Sequence, residues 1–435
     1  VPAGEPIADR VPVEIRAETS GGAATIFDER ESAVRSYCRA WPAVFSRARG
    51  SWLYDERGTA YLDFFTGASA LNYGHNNRRL KQALLDYLTG DNVIHSLDMH
   101  TAAKRDFLTA FDELILRPRR LDYRIQFPGP GGANAVEAAL KIARKVTGRT
   151  EVIAFEGGFH GVTLGALAVT ANPLHRGGAG VPLRHAVSLP YDDPRAELPA
   201  AGWLGRLAAS QGADIRHAAA VIVETVQGEG GIRVARPEWL RGLAAECREH
   251  HVPLIVDDVQ MGCGRTGPFF SFESAGITPD IVCLSKSIGG YGLPLALTLI
   301  RPDLDAWKPG EHNGTFRGVN PSFVTGTAAL RAYWADDALQ RATAAKGELV
   351  SRALAGLAQS GVPGRSRGRG LAWGLAFETA GAAEKVCTAA FERGLLVEAG
   401  GTRGEVVKLL PALTASRAEL DRGLHILADA VRSVF

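Results

Sequence analysis

A series of short apolar runs between about residues 120 and 300 constrains the fold of this chain more than any other feature. The runs are Tyr123–Phe127, Val152–Phe155, Ala219–Val223, Leu254–Val256, Ile281–Leu284 and Leu295–Ile300. Each has the length of a strand buried on both faces, and the stretches between several of them carry helical periodicity. In Ala135–Lys145 the apolar residues Val136, Ala139, Leu140 and Ala143 fall on one helical face. Pro237–His250 is a second helix, with proline in its first turn. Strands alternating with helices predict a mostly parallel, doubly wound α/β sheet. Ligands of such sheets bind beyond the carboxyl ends of the strands.

The flanks differ. Residues 1 to 35 are polar, with scattered Pro, Gly and Ala, and read as a loosely packed arm. Ser51–Asp55 and Ala60–Phe65 alternate around a Gly58-containing turn and predict an antiparallel hairpin. Beyond about residue 330 come Ala/Leu/Arg helices, a Gly/Arg-rich strand region at Arg365–Phe377, the strand Val406–Leu410 and a final amphipathic helix, Arg417–Val434. The division expected is an arm with antiparallel strands over 1–65, a large domain over 66–330 and a small α+β domain over 331–435.

Composition excludes several classes. The chain has 435 residues, and domains of roughly 150 residues predict two or three. With 49 basic against 47 acidic residues, no basic excess points to nucleic acid. The apolar runs fall far short of the roughly 18 residues of a membrane span, and the charged N-terminus lacks a secretory core. Five cysteines without a CxxC pair argue against a disulfide framework or a zinc site. The expectation is a cytoplasmic protein with no membrane, nucleic-acid or metal partner.

The strand exits carry the chemistry. Asp257 and Asp258 leave an apolar strand, where a charge is costly unless a cation pairs with it; a helix cap or solvated turn explains them equally well. Lys286 leaves the next strand into Ser285-Lys286-Ser287-Ile288-Gly289-Gly290. A lysine desolvated in this way loses basicity and attacks carbonyls, forming a Schiff base. Phe127–Asn134 runs from a strand into the helix at Ala135 through a glycine-rich loop, and bare amides at a helix start bind phosphate. Its glycines do not follow the GxGxxG spacing of a dinucleotide-cofactor dehydrogenase. A phosphate cradle, a carbonyl-capturing lysine and a carboxylate together fit pyridoxal 5′-phosphate, with Phe159 placed to stack on its ring.

From about residue 36 onward the sequence resembles the class III (ω-amino acid) aminotransferases of the type I pyridoxal-phosphate fold. The motifs are Glu224-Thr225-Val226-Gln227-Gly228-Glu229-Gly230-Gly231, Asp257-Asp258-Val259-Gln260 with Gly264-Arg265-Thr266-Gly267, and Lys286 after them. Leu71–Asn76, Ser96–Met99, Glu311–Gly318 and Glu405–Leu413 narrow the resemblance to the diaminobutyrate:2-oxoglutarate group, known from ectoine and related pathways. It implies a mostly parallel seven-stranded sheet in a large domain beside a smaller α+β domain. It also implies small amino-acid and oxo-acid substrates and a homodimer, or larger assembly, with shared active sites.

By resemblance, Lys286 is the Schiff-base lysine and proton shuttle, and Asp257 pairs with the pyridinium nitrogen. Gln260 meets the ring hydroxyl, while Val259 and Phe159 enclose the ring. Gly132 and Ala133 offer amides to the phosphate, and Thr315 reaches it from a neighbouring subunit. Glu229, Lys408 and Tyr73 are the candidates for substrate contact, Tyr73 reading equally as core.

Three departures from the family stand out: Ala133 replaces a hydroxyl residue, Val162 replaces an arginine after Phe-His-Gly, and Lys408 replaces a carboxylate-binding arginine. Lys408 cannot make a bidentate fork. An ion pair with Glu229 would mask it during one half-reaction and release it for glutamate in the other; a surface charge is the plain alternative. The histidines of the Gly- and Asn-rich turns, His75, His160 and His312, read as structural. Arg365, Arg367 and Arg369 read as a phosphate site or as alternating charges on an edge strand. Within the fold, the rivals are ornithine, acetylornithine or 4-aminobutyrate aminotransferases and aminomutases.

Overall fold

The apolar runs become the strands Arg124–Gln126, Glu151–Phe155, Ala218–Val223, Leu254–Asp257, Ile281–Leu284 and Leu297–Ile300 of one sheet. The computed structural model describes residues 25–359 and 361–435. In spatial order the seven strands are Arg124–Gln126, Leu297–Ile300, Ile281–Leu284, Leu254–Asp257, Ala218–Val223, Glu151–Phe155 and Ala186–Leu189. The five from Ile281–Leu284 to Ala186–Leu189 run parallel, and Leu297–Ile300 is antiparallel to both its neighbours. Ala186–Leu189 carries no sequence signal of its own, because it lies at the edge and buries only Leu189 fully.

The central strands are buried along their whole length, which is why they read as continuous apolar runs. Alternate residues face opposite cores. Val152, Ala154, Ile222, Ile255 and Ile281 meet Val136, Ala139, Leu140 and Ala143 of the helix Gly132–Thr147. Ile153, Phe155, Val223, Val256 and Leu284 join Trp239, Leu240 and Leu243 of the helix Pro237–Glu249 on the other side. Each Val, Leu, Ile or Phe among them contributes roughly 1.5–3 kcal/mol on burial. The helix Gly132–Thr147 stops at Gly148, whose φ of 66° suits a left-handed C-terminal cap.

Two four-stranded sheets accompany the large one. The predicted hairpin forms as Trp52–Asp55 and Ala60–Asp63, and Leu395–Leu396 from the far end of the chain pairs parallel to Ala60–Asp63. The Gly/Arg-rich region folds into Arg365–Arg369 and Ala372–Ala376, reversing at Gly370 with φ 61°. Val406–Leu409 and Glu398–Gly400 complete that sheet. The helix Arg417–Val434 begins at Ser416 in a capping box with Glu419, which also accepts the Trp52 indole N–H at 3.0 Å. Of the arm, residues 1–24 lie outside the described residues. Among the described residues no helix is long and apolar enough to cross a membrane, and no cluster of metal ligands occurs.

Candidate active site

The strands Leu254–Asp257 and Ile281–Leu284 are parallel neighbours, so Asp257 and Lys286 leave the sheet at the same edge. Asp257 is 6% exposed. Its Oδ2 lies 2.7 Å from His160 Nδ1, and its Oδ1 accepts the Val259 backbone N–H at 3.1 Å. Burial works against the His160 cation, but the Asp257 carboxylate and then Glu224 outweigh it and raise the imidazole pKa. Glu224 accepts the backbone N–H groups of Phe159 and Gly228, at 2.9 and 3.3 Å. Burial pushes its carboxyl up to about 7.

Lys286 opens a tight turn with φ 53° in the left-handed region, an unusual conformation for a non-glycine residue. Lys286 is half-buried, and desolvation lowers its amine pKa, with Lys408 adding to the effect and Glu229, Asp257 and Glu398 opposing it. These four charged groups therefore act on one nucleophilic nitrogen.

The helix Gly132–Thr147 begins against the same two strand exits. A Cβ on Gly132 would lie 2.8 Å from Val259 Cγ1 and 3.7 Å from Ser285 Cβ, so only glycine fits there. Ala133 packs against Gly161, where an added Cβ would lie 2.7 Å from the alanine Cβ. The Gly132 and Ala133 amides at the start of this helix have no intrahelical partner, and such donors favour an anion.

A left-handed turn packs against Gln260 and Ser287. Thr66, Gly67, Ala68 and Ser69 have φ values of 48°, 58°, 54° and 71°. Asp63 Oδ1 caps the turn through the Phe65 and Thr66 N–H groups, and the Ser287 hydroxyl donates to Ser69 O at 2.6 Å. The Gln260 amide donates to Ala68 O at 3.4 Å and fills the space beside Gly228.

Lys408, fully buried, donates to Glu229 Oε1 at 2.7 Å. Glu398 Oε2 lies 2.9 Å from the same amine. Of the two sequence readings for Lys408, the surface charge is thereby excluded.

Lys286, Asp257, Val259, Gly132, Ala133, Gln260, Glu229 and Lys408 are thus linked by direct contacts or by charge at one edge of the sheet. Phe159 lies beside them, its backbone N–H donating to Glu224 Oε2. Two candidates do not join them. Tyr73 is core: it is 2% exposed, stacks on Tyr333 at 4.8 Å and accepts the Trp334 indole N–H at 2.9 Å. Thr315 is on the surface, its carbonyl 2.7 Å from His95 Nε2.

His160, Glu224, Ala68 and Glu398 are the neighbours that sequence reasoning missed; His160 was read as structural, although it sits on the carboxylate of Asp257. His75 pairs with Asp63 at 2.7 Å, and the His312 ring lies 5.4 Å from Trp307. Arg365–Arg369 is an edge strand, and Arg367 and Arg369 donate to Gly231 O and Ser271 O.

These residues fit pyridoxal 5′-phosphate. The amine of lowered basicity suits its aldehyde, the fixed carboxylate suits a protonated ring nitrogen, and the helix start, open only because Gly132 lacks a Cβ, suits its phosphate.

Comparison with known proteins agrees. The family model for class-III aminotransferases matches residues 35–431. A diaminobutyrate--2-oxoglutarate transaminase from Nocardia farcinica is 61% identical over 425 residues, covering 97% of this chain and 95% of that protein. One of the same name from Streptomyces avermitilis is 58% identical over 412 residues, 94% of this chain and 97% of the other. Among solved structures, ornithine aminotransferase from Toxoplasma gondii, described with partial occupancy of PLP at its active site, superposes with a TM-score of 0.80 at 26% identity, covering 94% of this chain and 93% of that one. An S-selective transaminase from Arthrobacter sp. shares the fold, with a TM-score of 0.82 at 24% identity, covering 93% and 96%. With its mostly parallel seven-stranded sheet and Lys286 beside Asp257 at the strand exits, this chain belongs to the class-III aminotransferase family.

Proposed function

We propose that this chain is a pyridoxal-phosphate-dependent transaminase that exchanges L-2,4-diaminobutyrate and 2-oxoglutarate for aspartate 4-semialdehyde and glutamate. The observation that carries the reading is a Lys286 amine of lowered basicity, acted on by Asp257 and by the Glu229–Lys408 pair, in a chain 61% identical to a transaminase of that name. When bound, pyridoxal phosphate supplies an aldehyde for the amine and a conjugated ring that stores electrons. Lys286 Nζ would take the proton from the carbon bearing the reacting amine and deliver it to the carbon that carried the cofactor's aldehyde, and the reverse in the second half-reaction. Asp257, held by His160 and the Val259 amide, would pair with the ring nitrogen. Gln260 would serve the ring hydroxyl, Val259 and Phe159 would enclose the ring, and Gly132 and Ala133 would hold the phosphate.

Glu229 masks Lys408 while the diamino acid reacts and swings aside when the α-carboxylate of glutamate needs a cation; the 2.7 Å pair supports the masked state. If so, Glu229→Ala changes the preference between the two amino donors, and an unchanged preference rejects the gate. The working unit is a homodimer, a reading supported by the exposed apolar residues around Thr315, namely Ile94, Leu97, Met99 and Phe316. Sedimentation of the cofactor-loaded enzyme as a monomer would reject it.

The reaction itself is tested by the visible spectrum. A yellow band should fade when diaminobutyrate is added without oxo-acid and return with 2-oxoglutarate. A yellow protein indifferent to diaminobutyrate but bleached by ornithine overturns the substrate and leaves the chemistry.

A further inference from the structure

Lys408 faces two carboxylates where one would neutralise it. Glu229 takes its hydrogen bond at 2.7 Å, and Glu398 stands directly opposite it across the antiparallel strands Glu398–Gly400 and Val406–Leu409. Strand register therefore fixes the second carboxylate more firmly than a loop would. Gly400 keeps this arrangement open, since a Cβ there would lie 2.8 Å from Lys408 Cδ.

The two oxygens of Glu398 differ. Oε1 accepts the Tyr37 hydroxyl at 3.1 Å. Oε2 is 2.9 Å from the Lys408 amine, yet it is buried and has no hydrogen bond of proper geometry. The Glu398 side chain is 12% exposed, against 32% for Glu229. One ammonium cannot neutralise two carboxylates, and burial raises the Glu398 carboxyl pKa, so its ionised form in this nearly dry site is costly without a further cation. That carboxylate lies close enough to act on Lys286, where the substrate amine must react.

An α,ω-diamino acid reacting at its terminal amine brings a second ammonium on its α-carbon. 4-Aminobutyrate brings none, and glutamate has only the amine that reacts. We propose that Glu398 is the donor-specificity residue: its carboxylate, steadied by the Tyr37 hydroxyl, receives the α-ammonium of the diamino acid. This rests on the transaminase reading above and names the group that recognises the donor. Glu229 is the poorer candidate because its charge is already matched by a well-formed hydrogen bond to Lys408.

The test follows single turnovers of the cofactor-loaded enzyme by loss of its yellow band. In Glu398→Gln the rate constant at low L-2,4-diaminobutyrate falls at least about 10-fold more than the rate constant with L-glutamate. The preference for diaminobutyrate over 4-aminobutyrate shrinks by the same factor, and Glu398→Asp restores part of it. Equal losses with diaminobutyrate and glutamate would mean that Glu398 only holds Lys408, and an unchanged diaminobutyrate rate would equally overturn the proposal.

A probe on the unaltered enzyme removes any dependence on folding of the variant. Nα-acetyl-L-2,4-diaminobutyrate, which lacks the α-charge, should react at least about 10-fold more slowly than diaminobutyrate, and equal rates reject the role. An enzyme that turns over ornithine but not diaminobutyrate overturns the substrate assignment alone. Ornithine against Nα-acetylornithine then decides on Glu398.

Discussion

Asp257 divides its oxygens between the His160 ring and the Val259 amide, so its charge is held in place rather than solvated. Asp257→Asn keeps the volume and removes the charge. Turnover should fall about 10²–10³-fold, measured as kcat, because a fixed electrostatic partner is lost at the moment charge develops. Lys286 has its own pH signature. Its lowered pKa means that the neutral, reactive amine appears at lower pH than for an ordinary lysine. Glu229 opposes that shift, so Glu229→Gln should move the pH profile for capture of pyridoxal phosphate further toward acid, and a shift toward alkali contradicts the assignment. Lys286 and Asp257 were legible in the sequence because each ends an apolar strand with a costly charge. His160 was not, since its partner lies 97 residues away and nothing in Gly158–Gly161 names it.

At the scale of elements, close approach rather than propensity decides which substitutions are tolerated. Gly423 lies within the helix Arg417–Val434, where alanine is the better helix former. A Cβ there would meet the Phe64 ring at 2.2 Å. Gly423→Ala should therefore destabilise by about 1–3 kcal/mol in denaturant unfolding, against the sign that helix propensity gives. The turn Thr66–Ser69 holds three non-glycine residues in left-handed backbone, at roughly 1–2 kcal/mol each. Side chains from Asp63, Ser287 and Arg265 hold it there. Strands and helices were legible wherever both faces were buried or one helical face was apolar. The left-handed turn was not, because its strain is sustained by groups remote in sequence.

Across the whole molecule, Arg265 and Asp258 show how burial sets the energetics. Arg265 is fully buried and bonds Leu371 O, Pro411 O, the Thr66 hydroxyl and the Asn72 side chain, tying together three distant stretches of chain. Arg265→Lys loses the planar fork that reaches all four, and should cost at least about 3 kcal/mol of unfolding free energy. Asp258 is buried with Oδ1 unpartnered, and burial pushes its carboxyl up to about 7. A raised carboxyl binds its proton more tightly in the folded state, so its contribution is present below the ordinary carboxylate pKa of about 4 and is lost as pH rises through about 7. Asp258→Asn should flatten the loss of stability between pH 5 and pH 7 relative to the parent chain, measured by denaturation midpoints. By itself the sequence determined the parallel sheet, its two covering helices and the exit of Asp257 and Lys286 from neighbouring strands. Local periodicity and charge at strand ends encode those features within a few residues. Only the tertiary structure decided that Tyr73 is core, that His160 serves Asp257 and that Lys408 lies between Glu229 and Glu398. Those contacts join segments far apart in the chain, and strand register and burial, which no local pattern records, determine which side chains meet.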